Sequence, residues 1–410
     1  MASQPTNPHF VLFPLMAQGH MIPMVDMARL LTERGSMVTI VASPVNANRF
    51  RSVIDRAIEV KLKIQILELQ LPLAEVGLPE GCENFDLLPT PEHAFNMVLA
   101  INMLEEPAEK MVRVLCPSPS CIISDSAFPW SNDIAKRLED PVSKSWQVID
   151  SVKGMTGFAA NMEDIMLWVR KNMGGKPPDK EAIGIVVNSF EELEPKYVEE
   201  LAMAKDKKVW CIGPVSLFNK SFQDRAERGN KGAINGHDCL KWLDLRESGS
   251  VIYVCLGSLS YALTEQASEL GLGLESSNIP FLWFIRQTSE EFEAWLSKEG
   301  YEERIKGRGL MIREQFQNER FIIDVLKIGV KIGVEIPVMF TKVDGSKEII
   351  KRDGVKEAVQ ALMKNDKEGE ARRKRCRELG VKAKRAMEEA EGGSSYRNIT
   401  SMIQAVMMRV

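Results

Sequence analysis

"HFVLFPLMAQGHMIPMVDMARLLTERGSMVTIVAS", residues 9–43, contains two alternating patterns that establish the fold class. The run from His9 to Leu15 is almost entirely apolar, as is typical of a strand buried on both faces. The apolar positions then follow helical spacing from Met21 to Arg34, and a second apolar run extends from Met37 to Ser43. A strand, a helix and another strand in this order predict the start of a parallel, doubly wound α/β sheet.

The same pattern recurs along the chain and indicates two α/β halves. In the first half, further short strands are predicted within Cys121–Trp130, Gly184–Phe190 and Val209–Val215. In the second half, the predicted elements are strands within 250–260, 280–286 and 309–312 and helices at 264–274, 314–326 and 355–390. Two Rossmann-like halves of this kind bind ligands in a cleft, at the carboxyl ends of their strands.

Shifts in composition predict the domain boundaries. Residues 1–215 form the predicted first domain, and the polar segment 216–238, with three glycines, is the predicted interdomain linker. Residues 239–392 form the predicted second domain, and residues 393–410 a final amphipathic helix. A chain of 410 residues is too long for one compact core and suits this division.

Composition and charge argue against several classes of protein. The net charge of -4 gives no general attraction to nucleic acid or to an anionic membrane. No apolar stretch reaches the about 18 residues of a membrane span, and the first residues lack a signal-peptide pattern. The seven cysteines are scattered without CxxC or zinc-binding spacing, which predicts a reduced, cytoplasmic protein without a metal site.

Two polar residues follow predicted strands at positions where chemistry is expected. His20 lies where the first helix begins, and the helix dipole there favours a neutral imidazole that can accept a proton from a hydroxyl. Asp125 ends another strand of the same sheet, and because strand ends converge, it is expected to approach His20 and stabilise the imidazolium. Each residue alone has a structural alternative: His20 as a helix-packing residue, and Asp125 as a turn cap.

Nucleotide-binding signals in the residues themselves are weak. Gly257 and Ser258 follow a predicted strand, where free backbone N–H groups can bind a phosphate, although a Gly-Ser pair is more often only a turn. No GxGxxG motif follows the first strand, which disfavours a nicotinamide-dependent oxidoreductase.

Taken together, several segments resemble the plant UDP-dependent glycosyltransferases of specialised metabolism. They are "FPLMAQGHMIPMVDMARLL", "SDSAFPW", "VVNSFEELEPKYVEEL", "KVWCIGPVSL", "CLKWLDLRESGSVIYVCLGSL" and "EQFQNERFIIDVLKIGVKIGVE". The resemblance runs nearly from end to end. It implies an inverting enzyme of the GT-B fold, with two Rossmann-like domains whose parallel sheets face a cleft, and a UDP-sugar as co-substrate, with no metal and no cofactor.

The resemblance also implies roles for individual residues. His20 matches the catalytic base of the family and Asp125 its partner. Ser258 matches a contact to the donor diphosphate, while Glu314 and Gln315 match the acid–glutamine pair that binds the sugar hydroxyls. Gln315 is the usual partner of glucose in the family.

The chain departs from the family pattern at the donor site. Only Arg313 separates the predicted strand that ends at Ile312 from Glu314. The family has a long signature box at this point, which supplies a tryptophan beneath uracil, a histidine at the diphosphate and a glutamate for the ribose. Only the close of that box, Glu314-Gln315, is present here, so the second sheet is predicted to be incomplete. Trp283 and Trp295 lie outside the motif and are predicted to be packing residues.

A second departure falls within residues 139–182. The family continues there into another buried strand and an acceptor-lining segment, whereas this segment lacks a clear strand pattern. The acceptor site is therefore predicted from the remaining residues, with Gly19, Phe85, Phe95 and Phe128 as its lining. Core packing explains the aromatic members of this set equally well.

Two functional hypotheses follow. The first is transfer of glucose from UDP-glucose to a hydroxyl of a flavonoid-like or other lipophilic small molecule, giving a β-glucoside. The second is a catalytically impaired or inactive family member, because two segments are missing between intact flanks. A nucleotide-binding regulator is a more distant alternative, since the uracil platform is absent.

Overall fold

A computed structural model of the chain describes residues 7–90, 93–138, 147–152, 182–220, 236–255, 264–285, 289–312, 330 and 349–408. The chain divides into two compact units. The first unit contains residues 1–230 together with 379–410, and the second contains residues 231–378. The final segment of the chain therefore belongs to the first unit and not to the second.

The first unit is built on a seven-stranded sheet in which every neighbouring pair of strands is parallel. The strands are β1 His9–Phe13, β2 Met37–Ala42, β3 Ile64–Glu68, β4 Cys121–Asp125, β5 Gln147–Val152, β6 Gly184–Val187 and β7 Lys208–Cys211. Their order across the sheet is β3-β2-β1-β4-β5-β6-β7. β1 and β4 are thus central neighbours, with Phe13 beside Ser124, and both end at the same edge of the sheet.

Strand β5 corrects one expectation from the sequence. Residues 139–182 were expected to lack a strand, yet Gln147–Val152 pairs with β4 on one side and with β6 on the other. This strand is short, and Gln147, Asp150 and Ser151 interrupt its apolar residues, so it shows no continuous apolar run. Backbone pairing with both neighbours stabilises a strand that periodicity alone does not reveal.

The helices follow the strands in the order expected for an α/β protein. Those of the first unit are α1 Gln18–Glu33, α2 Pro44–Glu59, α3 Ala94–Asn102, α4 Glu105–Arg113, α5 Ser131–Arg137, α6 Pro195–Lys205 and α13 Ser394–Met407. Those that begin in the second unit are α7 Gly236–Asp244, α8 Thr264–Ser276, α9 Glu290–Glu299, α10 Tyr301–Ile305, α11 Arg352–Met363 and α12 Lys367–Met387. Helix α1 begins three residues before its predicted start, which places His20 inside its first turn.

The final helix α13 packs on the core of the first unit. Its residues Ile399, Met402 and Val406 are buried in the same apolar cluster as α1 and α2. At its start, the Arg34 guanidinium lies 3.9 Å from the centre of the Tyr396 ring and donates a hydrogen bond to Thr400. Helix α13 thus occupies the segment for which the sequence predicts a final amphipathic helix.

The second unit contains a parallel sheet of three strands within the described residues, β8 Ile252–Cys255, β9 Phe281–Phe284 and β10 Gly309–Ile312, in the order β10-β9-β8. Trp283 is fully buried and meets Tyr301 edge to face, with ring centres 6.2 Å apart. Trp295 stacks on Phe292 at 5.4 Å. Both tryptophans are packing residues, as predicted. The predicted helix at 314–326 lies outside the described residues.

Candidate active site

The first turn of α1 presents His20 at the carboxyl end of the central strands. The helix begins directly after the short loop that follows β1, with Ala17 as its N-cap residue. The His20 amide donates to the Ala17 carbonyl at 2.9 Å, which fixes the backbone of this turn. The side chain of His20 is 13% exposed, so the ring is largely enclosed but accessible from solvent.

Asp125 is the last residue of β4 and is almost completely buried. Its Oδ1 accepts a hydrogen bond from the Ala127 amide at 3.3 Å, and its carbonyl accepts one from the Phe128 amide at 3.0 Å. A buried carboxylate is expensive unless it is paired. The turn after β4 satisfies one carboxylate oxygen and leaves the other directed at the end of β1.

The two side chains meet, as the convergence of strand ends predicts. His20 Nδ1 lies 2.5 Å from Asp125 Oδ2. Because a carboxylate accepts and cannot donate, Nδ1 carries the proton, and Nε2 is the nitrogen that can receive another. A largely buried carboxylate that orients an imidazole in this way also stabilises its protonated form. Chemically, such a pair can act as a general base with a supporting carboxylate.

An aromatic cluster encloses the Asp125 turn. Trp130 contacts the rings of Phe13 and Phe128, each with centres 5.3 Å away, and its Nε1 donates to the Ile101 carbonyl at 3.1 Å. Phe128 is 1% exposed. Phe128 therefore packs in the core beside the site, and its predicted contact with an acceptor remains a prediction.

The other predicted acceptor residues occupy different positions. Gly19 is buried and precedes His20 in the helix. Phe85 is also buried, and its amide donates to the Met16 carbonyl at 2.8 Å, which places it against the loop that leads into α1. Phe95 lies on α3 and is 39% exposed. Gly19 thus adjoins His20 in the chain, and Phe85 is bonded to the loop four residues before His20.

Three polar residues near His20 were not identified from the sequence. Gln18, the first residue of α1, donates through Nε2 to Asp86 Oδ2 at 2.8 Å, and Asp86 also forms an ion pair with Arg49 at 2.9 Å. The only local signal was that Gln18 lies two positions before His20. Asp86 lies in a turn-rich segment without periodicity, so nothing in the pattern connects it to the first helix.

The predicted donor residues Ser258, Glu314 and Gln315 lie outside the described residues. Within the described part of the chain, no three His, Cys, Asp or Glu side chains are grouped so as to hold a metal ion. Among the same residues, no helix has the length and apolarity that a membrane crossing requires.

Comparison with known proteins identifies the family. UDP-glycosyltransferase 73E1 of Stevia rebaudiana is 45% identical over 490 residues, covering 99% of this chain and 98% of that protein. The chain belongs to the plant UDP-glycosyltransferase family. Its 410 residues are fewer than the 490 of that alignment although both proteins are covered almost end to end, so the relative has internal residues without a counterpart here. No protein-family model matches the chain.

Solved structures of plant UDP-glycosyltransferases show the same fold. Glycyrrhiza uralensis UGT73P12, in complex with glycyrrhetinic acid 3-O-monoglucuronide, matches with a TM-score of 0.82 and 24% identity, covering 98% of this chain and 96% of that one. Arabidopsis thaliana UGT89C1, in complex with UDP-L-rhamnose, matches with a TM-score of 0.74 and 25% identity, covering 98% and 99%. UGT89C1 has also been solved in complex with quercetin. The chain therefore has the GT-B fold.

Proposed function

We propose that this UDP-glycosyltransferase transfers glucose from UDP-glucose to a hydroxyl of a lipophilic small molecule such as a flavonoid, with inversion to a β-glucoside, in the cytoplasm. The observation that carries the proposal is the 2.5 Å contact between His20 Nδ1 and Asp125 Oδ2 at the carboxyl edge of the first sheet. This pair equips the acceptor side of the reaction with a base whose tautomer is already fixed.

The reaction proceeds by a single displacement. Nε2 of His20 takes the proton of the acceptor hydroxyl, and the oxygen attacks the anomeric carbon from the face opposite UDP. The bond between that carbon and the diphosphate oxygen breaks, and UDP leaves with its electron pair. The resulting imidazolium is stabilised by the Asp125 carboxylate, which is buried and therefore weakly screened by water.

The substrate classes rest on the family and on the surroundings of the pair. UGT89C1, a protein of the same fold, binds quercetin and UDP-L-rhamnose, so a phenolic acceptor and a UDP-sugar donor suit this architecture. Phe85 is buried against the loop before α1, and we assign it to the apolar border of the acceptor site. We assign Ser258 to the diphosphate and Glu314 and Gln315 to the sugar hydroxyls, and Gln315 favours glucose as the sugar. His20 chemistry of this kind requires neither a metal nor a cofactor.

A catalytically impaired chain is the second candidate. It is favoured by the internal length difference from UDP-glycosyltransferase 73E1 and by the single residue, Arg313, between Ile312 and the Glu314-Gln315 pair. A stacked aromatic contributes roughly 0.5–1.5 kcal/mol, and a charge-assisted hydrogen bond roughly 1.5–3 kcal/mol. Loss of two or three such donor contacts weakens affinity by a factor on the order of a thousand.

The test is turnover of UDP-glucose by the purified chain over a panel of flavonols and other phenols, with circular dichroism on the same sample. The matched control is His20→Ala, which removes the base and leaves the helix backbone unchanged. A β-glucoside that His20→Ala does not form supports glucosyl transfer. A folded chain that forms no glucoside and does not bind UDP-glucose establishes the impaired member instead.

A further inference from the structure

The first turn of α1, which carries His20, is weak by its own sequence. The N-cap residue Ala17 makes no side-chain capping bond, and the turn has no acidic residue. Gly19 is a poor helix former, and Pro23 has no amide hydrogen to donate to the carbonyl of Gly19 four residues earlier. His20 lies between these two residues. The bond from the His20 amide to the Ala17 carbonyl is thus weakly supported by the helix itself, and contacts from outside the helix are needed to hold the turn in place.

The segment Glu83–Asp86 supplies contacts to this turn. Asp86 Oδ2 accepts a hydrogen bond from Gln18 Nε2 at 2.8 Å, and the Phe85 amide donates to the Met16 carbonyl at 2.8 Å. Asp86 also brings a negative charge to the first residue of a helix that has no acidic residue of its own there. A carboxylate near a helix N-terminus stabilises the aligned peptide dipoles.

Helix α2 holds the Glu83–Asp86 segment from the other side. Arg49 donates to both carboxylate oxygens of Asp86, at 2.9 and 3.1 Å, and the two side chains are only 11% and 6% exposed. Asn84 is fully buried and donates to Asn46 Oδ1 at 2.6 Å, and Asn46 donates to the Glu83 carbonyl at 2.7 Å. A buried network with its members paired in this way is rigid, and it fixes the Asp86 carboxylate.

We propose that Asp86, with Arg49 as its counter-ion, is a positioning residue for His20 and acts through Gln18. Two anchors then fix the histidine, since Asp125 holds its ring and Asp86 holds the turn from which the ring projects. The proposal rests on the proposed function for its catalytic consequence, but the positioning itself is a property of the folded chain. It can therefore be measured with and without turnover.

Three single variants and one double variant test the Gln18–Asp86 bond separately from the contacts around it. Gln18→Ala removes the bond to α1 and leaves the Arg49–Asp86 ion pair in place. Asp86→Asn removes the negative charge and replaces one of the two oxygens that accept from Arg49 with an NH₂ group, which donates. Glu68→Gln is the matched control, because it breaks an exposed ion pair that Arg51 of the same helix α2 forms and leaves the Gln18–Asp86 bond and the Arg49–Asp86 pair in place. The double variant Gln18→Ala with Asp86→Asn tests whether both act on one path.

The direct measurement is nuclear magnetic resonance of protein labelled in its histidine rings. The chain has four histidines, and His20→Gln assigns the signal of interest. The Nδ1 proton shared with Asp125 is expected at low field and slow to exchange with water. In Gln18→Ala and Asp86→Asn we expect its exchange to accelerate roughly tenfold or more, as the loss of a hydrogen bond to a charged group implies. Exchange in the double variant should be little faster than in either single variant, and exchange in Glu68→Gln should match that of the wild type.

Kinetics on the same samples completes the test. For an active chain, we expect kcat to fall roughly 10- to 100-fold in Gln18→Ala with little change in the KM for UDP-glucose, as misplacement of a catalytic group implies. Unchanged exchange of the His20 proton in folded Gln18→Ala overturns the proposal, whatever happens to kcat. An equal change in Glu68→Gln also overturns it, since that indicates general loosening. If the wild-type chain shows no turnover and Gln18→Ala still accelerates the exchange of the His20 proton, the positioning is supported and only the proposed function is rejected.

Discussion

One histidine begins the first strand of the large sheet and another lies in the helix that follows it, and the two are held in different ways. His9 begins β1 at the amino edge of the sheet and is 1% exposed, whereas His20 follows β1 at the carboxyl edge with a side chain that is 13% exposed. Each ring forms a hydrogen bond through Nδ1. His9 bonds to the Pro117 carbonyl at 2.7 Å, and His20 bonds to the Asp125 carboxylate at 2.5 Å.

The second ring nitrogen separates the two roles. His9 Nε2 lies 2.8 Å from Thr39 Oγ1, and that hydroxyl accepts a bond from the Gln65 amide at 2.9 Å, so its own proton is directed to His9. Both nitrogens of His9 are thus used, one as donor and one as acceptor, which fixes a neutral ring in a closed network. At His20 the partner of Nδ1 is a carboxylate, and Nε2 is left reachable for the proton of a substrate hydroxyl. The same residue type stabilises the fold at one edge and can perform chemistry at the other.

The largest effect is expected from removal of the histidine at the carboxyl edge. His20→Ala should lower kcat by about 10²–10⁴-fold, the usual contribution of a general base, while the melting temperature changes little. Initial rates of glucoside formation under saturating UDP-glucose and acceptor provide the measurement.

His9→Gln is the partner variant for this experiment, because it changes the histidine at the opposite, amino edge of the sheet. Its folded fraction should keep the kcat of the wild type. A comparable loss of kcat in His9→Gln at a temperature where it is folded would contradict the division of roles between the two edges.

A smaller loss is expected from Asp125→Asn. The amide still fits the turn after β4, but it cannot stabilise an imidazolium by charge, and its NH₂ group can orient the ring in the wrong tautomer. We expect kcat to fall about 10²-fold, with the KM for the acceptor nearly unchanged. Full activity in Asp125→Asn would show that the 2.5 Å contact is structural only, and so remove the contrast with His9.

Much of this architecture was predictable from the sequence, and the reason is burial. Parallel strands enclosed on both faces are read as continuous apolar runs, and on that basis β1, β2, β4, β9 and β10 were located within a few residues of their observed bounds. The contact between His20 and Asp125 followed from one topological rule, since Asp125 ends β4 and His20 lies in the first turn of the helix that follows the parallel, neighbouring strand β1.

The remaining features depend on contacts between distant segments. Strand β5 was missed because its pairing with β4 and β6, and not its own pattern, holds it in the sheet. Asp86 was missed because it lies 68 positions from Gln18 and in a segment without helical or strand periodicity. The role of His9 was also not foreseen, since its partners Pro117 and Gln65 come from two other parts of the chain.

Substitution of His9, at the amino edge of the large sheet, should affect stability and not catalysis. His9→Ala leaves the Thr39 hydroxyl and the Pro117 carbonyl without their partner in a buried site. We expect a loss of about 1–3 kcal/mol in the free energy of unfolding of the first unit, as is usual for orphaned buried polar groups. The midpoint of urea unfolding measures it. A midpoint equal to that of the wild type would mean that water replaces the ring without loss.

The smallest expected effect is a pH dependence of stability at the same histidine. Burial lowers the pKa of His9, against a weaker opposing effect of its bond to the Pro117 carbonyl. The unfolded chain takes up this proton near pH 6.5, whereas the folded chain does so only at lower pH, so the unfolded state binds more protons in between. Stability from His9 is therefore complete above about pH 6.5 and declines as the pH falls, by less than about 1 kcal/mol at pH 6.

The measurement is the urea midpoint from pH 7.5 to pH 5.5 in the wild type and in His9→Gln, because the difference between their slopes removes the contributions of all other groups. Parallel slopes would show that His9 takes up its proton equally well in the folded chain, and the closed network at the amino edge would then not exclude the charge.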